Sequence, residues 1–290
     1  MRARTGPRPE WPDGARCVVF LSVDLDGVAL ERGEGVEPLG INSYGVYAYR
    51  CGVPRYLRLF ARHGLRVTFF VPGYDGEVAP EVIRAIAGEG HEIAAHGYCH
   101  ESGYLEGAPE RALLQRTHDI LAGLTGQPPV GWRNPGGMKS RFTTQYLRAL
   151  GYLYDSSDKD FEQPYRFEPA GPAPGPMIEL PTNSAMLDDG HLNPIAMLAP
   201  SQILELWKEE FAATYAGSGY FALILHGRAW WGSGTPSRAR VLDELIRYID
   251  AHPGVRYVRG VDLARFCLGS SATATAEARD TWLYREPGGR

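Results

Sequence analysis

The chain has 290 residues, of which 44% are hydrophobic and 22% are charged, which is enough for a large buried core and excludes a disordered chain. Its 30 basic and 34 acidic residues give a formal net charge of -4 without a long run of one sign. We therefore expect no electrostatic binding to nucleic acid or to an anionic membrane surface. No stretch approaches the roughly 18 consecutive apolar residues that span a bilayer, so we expect a soluble protein.

Cysteine usage indicates a reducing compartment. The four cysteines, Cys17, Cys51, Cys99 and Cys267, are scattered along the chain without a Cys-x-x-Cys pair. A chain of this length does not need disulfides to complete its core, so we expect reduced, mostly buried thiols. The first residues, MRARTGPRPEWPDGAR, are basic but contain no apolar leader segment, so we expect a cytoplasmic protein.

Short apolar runs alternate along the chain with segments of helical periodicity. The predicted strands are Cys17–Val23, Val67–Val71, Glu92–Ala95, Gly131–Arg133, Tyr152–Tyr154, Ile178–Leu180 and Phe221–Leu225. The predicted helices are Pro54–His63, Pro80–Ala87, Pro109–Leu124, Thr143–Leu150, Ser201–Ala213 and Arg238–Ala251. This alternation is typical of an α/β protein with a parallel sheet of about seven strands, either open or closed into a barrel.

The alternation indicates one domain over residues 15–268. We expect poorly ordered tails over residues 1–14 and 269–290, because both are polar or rich in small residues. The proline-rich segment Glu168–Pro176 is predicted to be a surface loop, since its prolines exclude regular structure.

Two aspartates follow the first predicted strand. Asp24 and Asp26 are separated by one residue, so in extended chain both side chains point to the same face. Carboxylates held this close repel each other unless a cation lies beside them or one carries a proton. A turn or a helix cap is the alternative, because aspartate followed by Gly27 is common there.

Two histidines follow the third predicted strand, four residues apart. His96 and His100 can converge on one ion if this segment makes a helical turn. Two imidazoles and one carboxylate form a metal site that keeps positions open for water and substrate. His91, on the other side of the strand, is predicted to be packed or solvent-exposed.

Two further polar residues end predicted strands. The guanidinium of Arg133 has the planar geometry that holds a carboxylate, although a structural salt bridge is the alternative. His226 ends an apolar strand, where it is either structural or, beside a metal site, a general acid.

The order of these motifs along the chain resembles that of the polysaccharide deacetylase family, also called the NodB homology domain. The motifs are Asp24-x-Asp26, His96-x-x-x-His100, Arg133-x-Pro135 and the strand-end His226. The resemblance covers roughly residues 15–267. The segments VTFFVPGY, GHEIAAHGYCHE, GYLYDSS and ELPTNSAMLDD are most similar to a branch that contains cytoplasmic peptidoglycan-deacetylase-like proteins and allantoinases. The family implies a distorted (β/α) barrel with its site at the carboxyl ends of the strands.

The resemblance also implies a role for each residue. Asp24 would be the general base, oriented by Arg133, and His226 would be the general acid. Asp26, His96 and His100 would hold one divalent ion, expected to be Zn²⁺, although the allantoinase branch includes members that work without metal. Further residues are expected to contact substrate at the rim of the site, namely Tyr98, Pro135, Trp230, Trp231, Asp188 and Asp189, with Tyr44 nearby. For the aromatic residues the alternative is packing of the rim or of a subunit interface. For the two aspartates the alternative is a turn before Gly190.

The chain departs from this branch in two loops. Gly227 follows His226 where the branch usually has proline, and Arg133 is followed by Asn134-Pro135-Gly136-Gly137 instead of a bulky residue. Both departures lie in loops that contact substrate.

From these residues and this resemblance we predict a metal-dependent hydrolase of non-peptide carbon–nitrogen bonds. The expected reaction is N-deacetylation of an amino-sugar compound. A cyclic amide or ureide hydrolase of the allantoinase type is the alternative enzyme, and an inactive sugar-binding relative is the alternative of another class. Long segments at Asp26–Cys51, Phe161–Pro181 and Gly227–Pro236 are predicted to be loops that close over a small molecule or short saccharide. Assembly into a homo-oligomer is a further expectation.

Overall fold

The computed structural model describes residues 10–275, apart from 102–104, 170, 172, 174, 183–186 and 193–196. Its strands are β1 Cys17–Asp24, β2 Thr68–Val71, β3 Glu92–Ala95, β4 Gly131–Trp132, β5 Tyr154–Asp155, β6 Tyr165–Phe167, β7 Met177–Glu179, β8 Tyr220–His226, β9 Val255–Tyr257 and β10 Ala274–Thr275. Its α-helices are α1 Ala29–Gly33, α2 Tyr44–Tyr47, α3 Val53–Arg62, α4 Gly73–Val78, α5 Pro80–Gly88, α6 Ala108–Thr125, α7 Thr143–Ala149, α8 Asp189–Leu192, α9 Pro200–Ala216, α10 Pro236–Asp250 and α11 Gly260–Gly269.

The strands form one curled sheet in the order β10-β6-β7-β5-β4-β3-β2-β1-β8, with β9 also paired to β1. The run β7-β5-β4-β3-β2-β1-β8 is parallel throughout, and β6 pairs with β7 in the antiparallel sense. The predicted distorted barrel of about seven parallel strands is therefore confirmed. An isolated parallel bridge places Asp188 beside Ile224 of β8.

Both faces of the central strand β1 are buried, which explains its continuous apolar sequence. Val19, Leu21 and Val23 pack against the outer helices, whereas Val18 and Phe20 join a second cluster with residues of α11. Because side chains alternate between faces, Asp24 lies on the same face as Val18 and Phe20. The sequence of β1 thus directs a carboxylate into the inside of the barrel at its carboxyl end.

The predicted elements all occur, with ends that agree within three residues. Short elements were missed, notably α1, α2, α4 and α8, because one or two turns give no readable periodicity.

Two of the segments predicted to be long loops contain regular secondary structure instead. Residues 26–51 contain α1, α2, a 3-10 turn at Gly40–Asn42 and a π-turn at Ala48–Gly52, and residues 161–181 contain the β6–β7 hairpin. The described residues of Glu168–Pro176 connect that hairpin without regular structure, and residues 227–235 are irregular, as predicted.

Residues near both ends contact the domain. Trp11 is buried and donates a hydrogen bond from Nε1 to the Ser218 carbonyl oxygen at 2.8 Å, and β10 pairs with β6. The rest of the predicted tails, residues 1–9 and 276–290, lies outside the described residues. All four cysteines are free thiols, two buried and two partly buried. Within the described part of the chain, no helix has the length and apolar character that crossing a membrane requires.

Candidate metal and catalytic site

The carboxyl ends of β1, β3, β4 and β8 meet at one cavity. Asp24 ends β1, His226 ends β8, and the two are register partners across the parallel ladder. His96 follows β3 directly, and Arg133 follows β4 directly. Parallel strands bring their carboxyl ends to one edge of the sheet, so residues far apart in sequence surround one volume.

Asp26, His96 and His100 converge, as the sequence predicted, but not on a helical turn. Residues 96–100 are irregular, and Gly97 and His100 have φ values of +67° and +55°. Asp26 also has a left-handed φ of +42°. Non-glycine residues in this region are strained, and such strain persists where the surrounding structure holds it, often at functional sites.

The three side chains present one ligand atom each within 4.8 Å of one another. Nε2 of His96 lies 3.4 Å from Asp26 Oδ1, and Nε2 of His100 lies 3.4 Å from Asp26 Oδ2. Nδ1 of His96 is hydrogen-bonded to the Arg133 carbonyl oxygen at 2.8 Å, which leaves Nε2 for a ligand. Asp26 Oδ1 is buried without a hydrogen-bond partner among the described residues.

This donor set fits a divalent ion. A buried carboxylate oxygen without a donor is costly, and a cation between it and two imidazoles removes that cost. One carboxylate and two histidines, with room for further ligands, match the donors of an open zinc site. Burial raises the pKa of the Asp26 carboxyl, but His100, His96 and His226 outweigh burial and hold it well below its usual range, so Asp26 is an anion.

Arg133 holds Asp24 from the side opposite the histidines. Its Nη1 donates to Asp24 Oδ1 at 2.7 Å and to Ser22 Oγ at 2.8 Å, and its other donors bind Ser156. Arg133 is 3% exposed, and its guanidinium carbon lies 4.0 Å from the centre of the Phe70 ring. With Oδ1 occupied, Oδ2 of Asp24 is the oxygen that approaches Nε2 of His96 and of His226, at 4.0 Å from each.

His226 is oriented by Asp189. Its Nδ1 lies 2.6 Å from Asp189 Oδ1, and Asp189 Oδ2 accepts the backbone N–H of His226 and of Ser233. Burial lowers the pKa of His226, but the Asp189 carboxylate outweighs it and the pKa rises to about 10. Asp188, Asp189 and His226 also lie close enough to hold an ion. The Asp189 carboxylate already accepts three N–H groups. We therefore interpret Asp189 and His226 as a hydrogen-bonded pair that orients the imidazole, and not as ligands of a second ion.

The cavity has a volume of about 270 Å³. Of the predicted substrate contacts, Asp188 and Trp231 line it. Four do not: Asp189 is fully buried behind His226, Pro135 is buried beside a small neighbouring cavity, the Tyr98 hydroxyl donates to Glu77 outside, and Trp230 is 55% exposed and stacked on Tyr44. These four predictions of direct contact are not supported by the geometry.

Sequence reasoning missed several residues on the cavity wall. They are Ser156, Ser157, Lys159 and His191, whereas Asn134, which also lines the cavity, belongs to the loop already expected to contact substrate. Ser156 and Ser157 directly follow β5, so the strand-end rule applied to the other residues would have found them. His191 reaches the cavity through α8, where its Nδ1 lies 3.0 Å from Asp188 Oδ2, and no sequence pattern indicated it.

Known proteins are similar to this chain in sequence and in fold. A family model described as polysaccharide deacetylase matches residues 45–154. The peptidoglycan deacetylase of Helicobacter pylori is 28% identical over 85% of this chain and 94% of its own, and a peptidoglycan deacetylase-like protein of Gibberella zeae is 29% identical over 88% and 87%.

Solved structures agree. A Mycobacterium smegmatis protein assigned as a polysaccharide deacetylase is 34% identical over 90% of this chain and 94% of its own, with a TM-score of 0.78. An allantoinase is 26% identical over 93% and 96%, with a TM-score of 0.82. The chain therefore belongs to the polysaccharide deacetylase family and is a hydrolytic enzyme.

Proposed function

We propose that the protein is a metal-dependent hydrolase of non-peptide carbon–nitrogen bonds that removes the acetyl group from an amino-sugar compound. The observation that carries this proposal is the convergence of Asp24, Asp26, His96, His100 and His226 on one cavity at the carboxyl edge of the sheet. Relatives named as peptidoglycan deacetylases support the substrate class.

Asp26, His96 and His100 would hold the ion, with Zn²⁺ the best match to their donors. When bound, a divalent ion supplies Lewis acidity to the acyl group and to the attacking water. We assign Asp24 a role outside this set, with its Oδ1 bound to Arg133 and its Oδ2 facing the cavity.

Asp24 is proposed as the general base. Its Oδ1 accepts from Arg133, and its Oδ2 faces the side of the cavity that carries His96 and His226. Oδ2 would take a proton from the water that adds to the acyl carbon.

His226 is proposed as the general acid. Asp189 binds Nδ1, so the proton on Nε2 is the one available to the cavity. When the carbon–nitrogen bond breaks, the amine leaves as a neutral molecule only if it gains a proton, and Nε2 would supply it. The acid and the base thus stand on adjacent strands.

The cavity supports a small molecule or a short saccharide as substrate. A volume of about 270 Å³ is close to the lower end of the range typical of small-ligand sites. Asp188, His191 and Trp231 offer hydrogen-bonding groups and one aromatic face for a ring. The free cysteines are in keeping with a cytoplasmic enzyme, and assembly into an oligomer stays a prediction.

A cyclic ureide hydrolase of the allantoinase type is the second candidate. Its support is the allantoinase structure, which superimposes on nearly all of this chain with a TM-score of 0.82. In this site both reactions would use the same base and acid, and they differ in the compound that the cavity accepts.

A hydrolysis screen distinguishes the two. The purified protein is incubated with N-acetyl sugars, chitooligosaccharides, short peptidoglycan fragments, allantoin and dihydrouracil, and both released acetate and ring-opened product are measured. Acetate release that disappears after chelation and returns with Zn²⁺ supports the first candidate. Ring opening without acetate release supports the second, and no turnover of any compound by metal-loaded protein contradicts both.

A further inference from the structure

Arg228 lies two residues beyond His226, in the loop where the chain departs from the related branch. It is 1% exposed, which is unusual for an arginine, and it does not line the cavity. Its Nη1 donates to the carbonyl oxygens of Asp26 and Gly27, at 2.7 and 2.9 Å. The guanidinium is also ion-paired with the buried Glu31. A buried charge is thus used to hold two peptide carbonyls of the turn that carries a proposed metal ligand.

Asp75 holds the same turn through its N–H groups. Its carboxylate is fully buried and accepts the backbone N–H of Gly27 and of Ala29, both at 2.8 Å. Tyr49 donates its hydroxyl to Asp75 at 2.5 Å and accepts the N–H of Val28 at 3.0 Å. Successive peptide groups after Asp26 are therefore bound by side chains from elsewhere in the chain.

This arrangement explains how Asp26 keeps a left-handed backbone. A φ of +42° is unfavourable for aspartate, and it persists only where the neighbouring peptides are fixed. Gly27 is required next to it, because a Cβ atom there would collide with the Tyr49 hydroxyl, which Asp75 and Val28 hold in place. A change of this φ would swing the carboxylate away from His96 and His100.

We infer that Arg228 and Asp75 are positioning residues that act through the backbone of Asp26 and set the affinity of the site for its ion. This inference rests on the proposed function, in which Asp26 is a metal ligand. Arg228 also packs under the cavity wall, with its guanidinium carbon 4.5 Å from the centre of the Trp231 ring. One side chain therefore connects a cavity-lining aromatic residue to a metal ligand.

Arg228→Lys tests the inference directly. Lysine keeps the positive charge beside Glu31, but its single ammonium cannot reproduce the planar set of bonds to two carbonyls and a carboxylate. Arg240→Lys is the matched control, because Arg240 is exposed and pairs with Glu244 four residues along α10. Asp75→Asn is a second variant, since an amide offers one acceptor oxygen where the carboxylate offers two.

The measurement is Zn²⁺ affinity of the metal-free proteins by competition with a chromophoric chelator, with circular dichroism to verify folding. We expect affinity to fall about 10- to 100-fold in Arg228→Lys and Asp75→Asn and by less than about twofold in Arg240→Lys. If wild type binds Zn²⁺ and both folded variants bind it as tightly, the inference is wrong and the proposed function stands. If wild type binds no Zn²⁺, the metal site of the proposed function fails, and the inference fails with it.

If Arg228→Lys does not fold, it is replaced by Glu31→Gln, which keeps the shape of the partner of Arg228 and removes its charge. The expected loss of Zn²⁺ affinity is then smaller, about three- to tenfold, because the guanidinium keeps its carbonyl contacts. Unchanged affinity in folded Glu31→Gln, with Asp75→Asn also unchanged, overturns the inference.

Discussion

Asp24 and His226 are register partners on adjacent parallel strands, with Asp24 Oδ2 4.0 Å from His226 Nε2. Each is held from behind by a residue of opposite charge, Asp24 by Arg133 and His226 by Asp189. The proposed base and the proposed acid are thus fixed on neighbouring strand ends with their free atoms toward one cavity. The proposed metal ligands Asp26, His96 and His100 line the same cavity. This arrangement leads to the following predictions.

The metal ligands are tested by a double variant. His96→Ala combined with His100→Ala removes both imidazoles, so we expect the purified protein to lose most of its bound divalent ion. His118→Ala is a suitable control, because His118 lies on α6 and does not line the cavity. Metal analysis by mass spectrometry decides the matter, and equal ion content in wild type and the double variant contradicts the assignment.

Asp24→Asn separates the base from the ligands. The amide can still accept the hydrogen bond from Arg133 at Oδ1, but it cannot take a proton from water, so we expect kcat to fall about 10²- to 10⁴-fold. The ion content should stay within error of wild type. Loss of the ion together with activity would place Asp24 among the ligands.

His226→Ala should discriminate between leaving groups. An amine needs a proton to leave, whereas an activated aryl ester does not, so we expect a much larger loss of kcat on the N-acetyl substrate than on aryl acetate. The variant should retain its ion. An equal loss on both substrates would show that His226 has a role other than proton donation.

The two adjacent tryptophans should behave differently. Trp231 lines the cavity, whereas Trp230 is 55% exposed and stacks on Tyr44 with ring centres 5.6 Å apart. Trp231→Ala should raise KM about three- to tenfold with a smaller effect on kcat, because an aromatic contact is made equally in ground and transition states. Trp230→Ala is the internal control and should leave KM for a small substrate nearly unchanged. Steady-state kinetics on one short substrate test both, and the reverse ranking contradicts the geometry.

His91 predicts a pH dependence of stability away from the site. Its Nδ1 accepts the N–H of Val67 at 3.0 Å, and burial, with Arg66 and Arg259, lowers the pKa of His91 from 6.5 to about 4. Protonation would cost this hydrogen bond and place a charge between Phe60 and Phe69. The folded state therefore binds this proton less readily than the unfolded state, so the stabilisation is complete above pH 6.5 and is lost as pH falls toward 4.

The magnitude follows from linkage. Between pH 8 and pH 5, this group should lower the free energy of unfolding by roughly 1–2 kcal/mol. His91→Asn keeps an acceptor for Val67 but does not titrate, so urea unfolding of the variant should show a correspondingly smaller loss over the same range. An identical loss in wild type and variant would show that His91 does not titrate as proposed.

The order of strands and helices along the chain could be predicted from the sequence alone, and so could most of the residues proposed to be catalytic or metal-binding. The runs of β1 and β8 have the continuous apolar pattern of strands buried on both faces, and this pattern ends in Asp24 and His226. The roles of these residues came from their order along the chain and its resemblance to a known family. That information is local or sequential, so it is available without a fold.

Only the tertiary structure decided which side chains enter the cavity and which hold others in place. Trp230 and Trp231 are neighbours in sequence but point to different surroundings, and Asp188 and Asp189 likewise separate into a cavity-lining residue and a buried partner of His226. His96 and His100 meet through left-handed backbone at Gly97 and His100, where the spacing suggested a helix. Arg228 and Asp75 bind the backbone of Asp26 across long sequence separations, and no local pattern records such contacts, because a hydrogen bond to a peptide group does not depend on the identity of the residue that carries it.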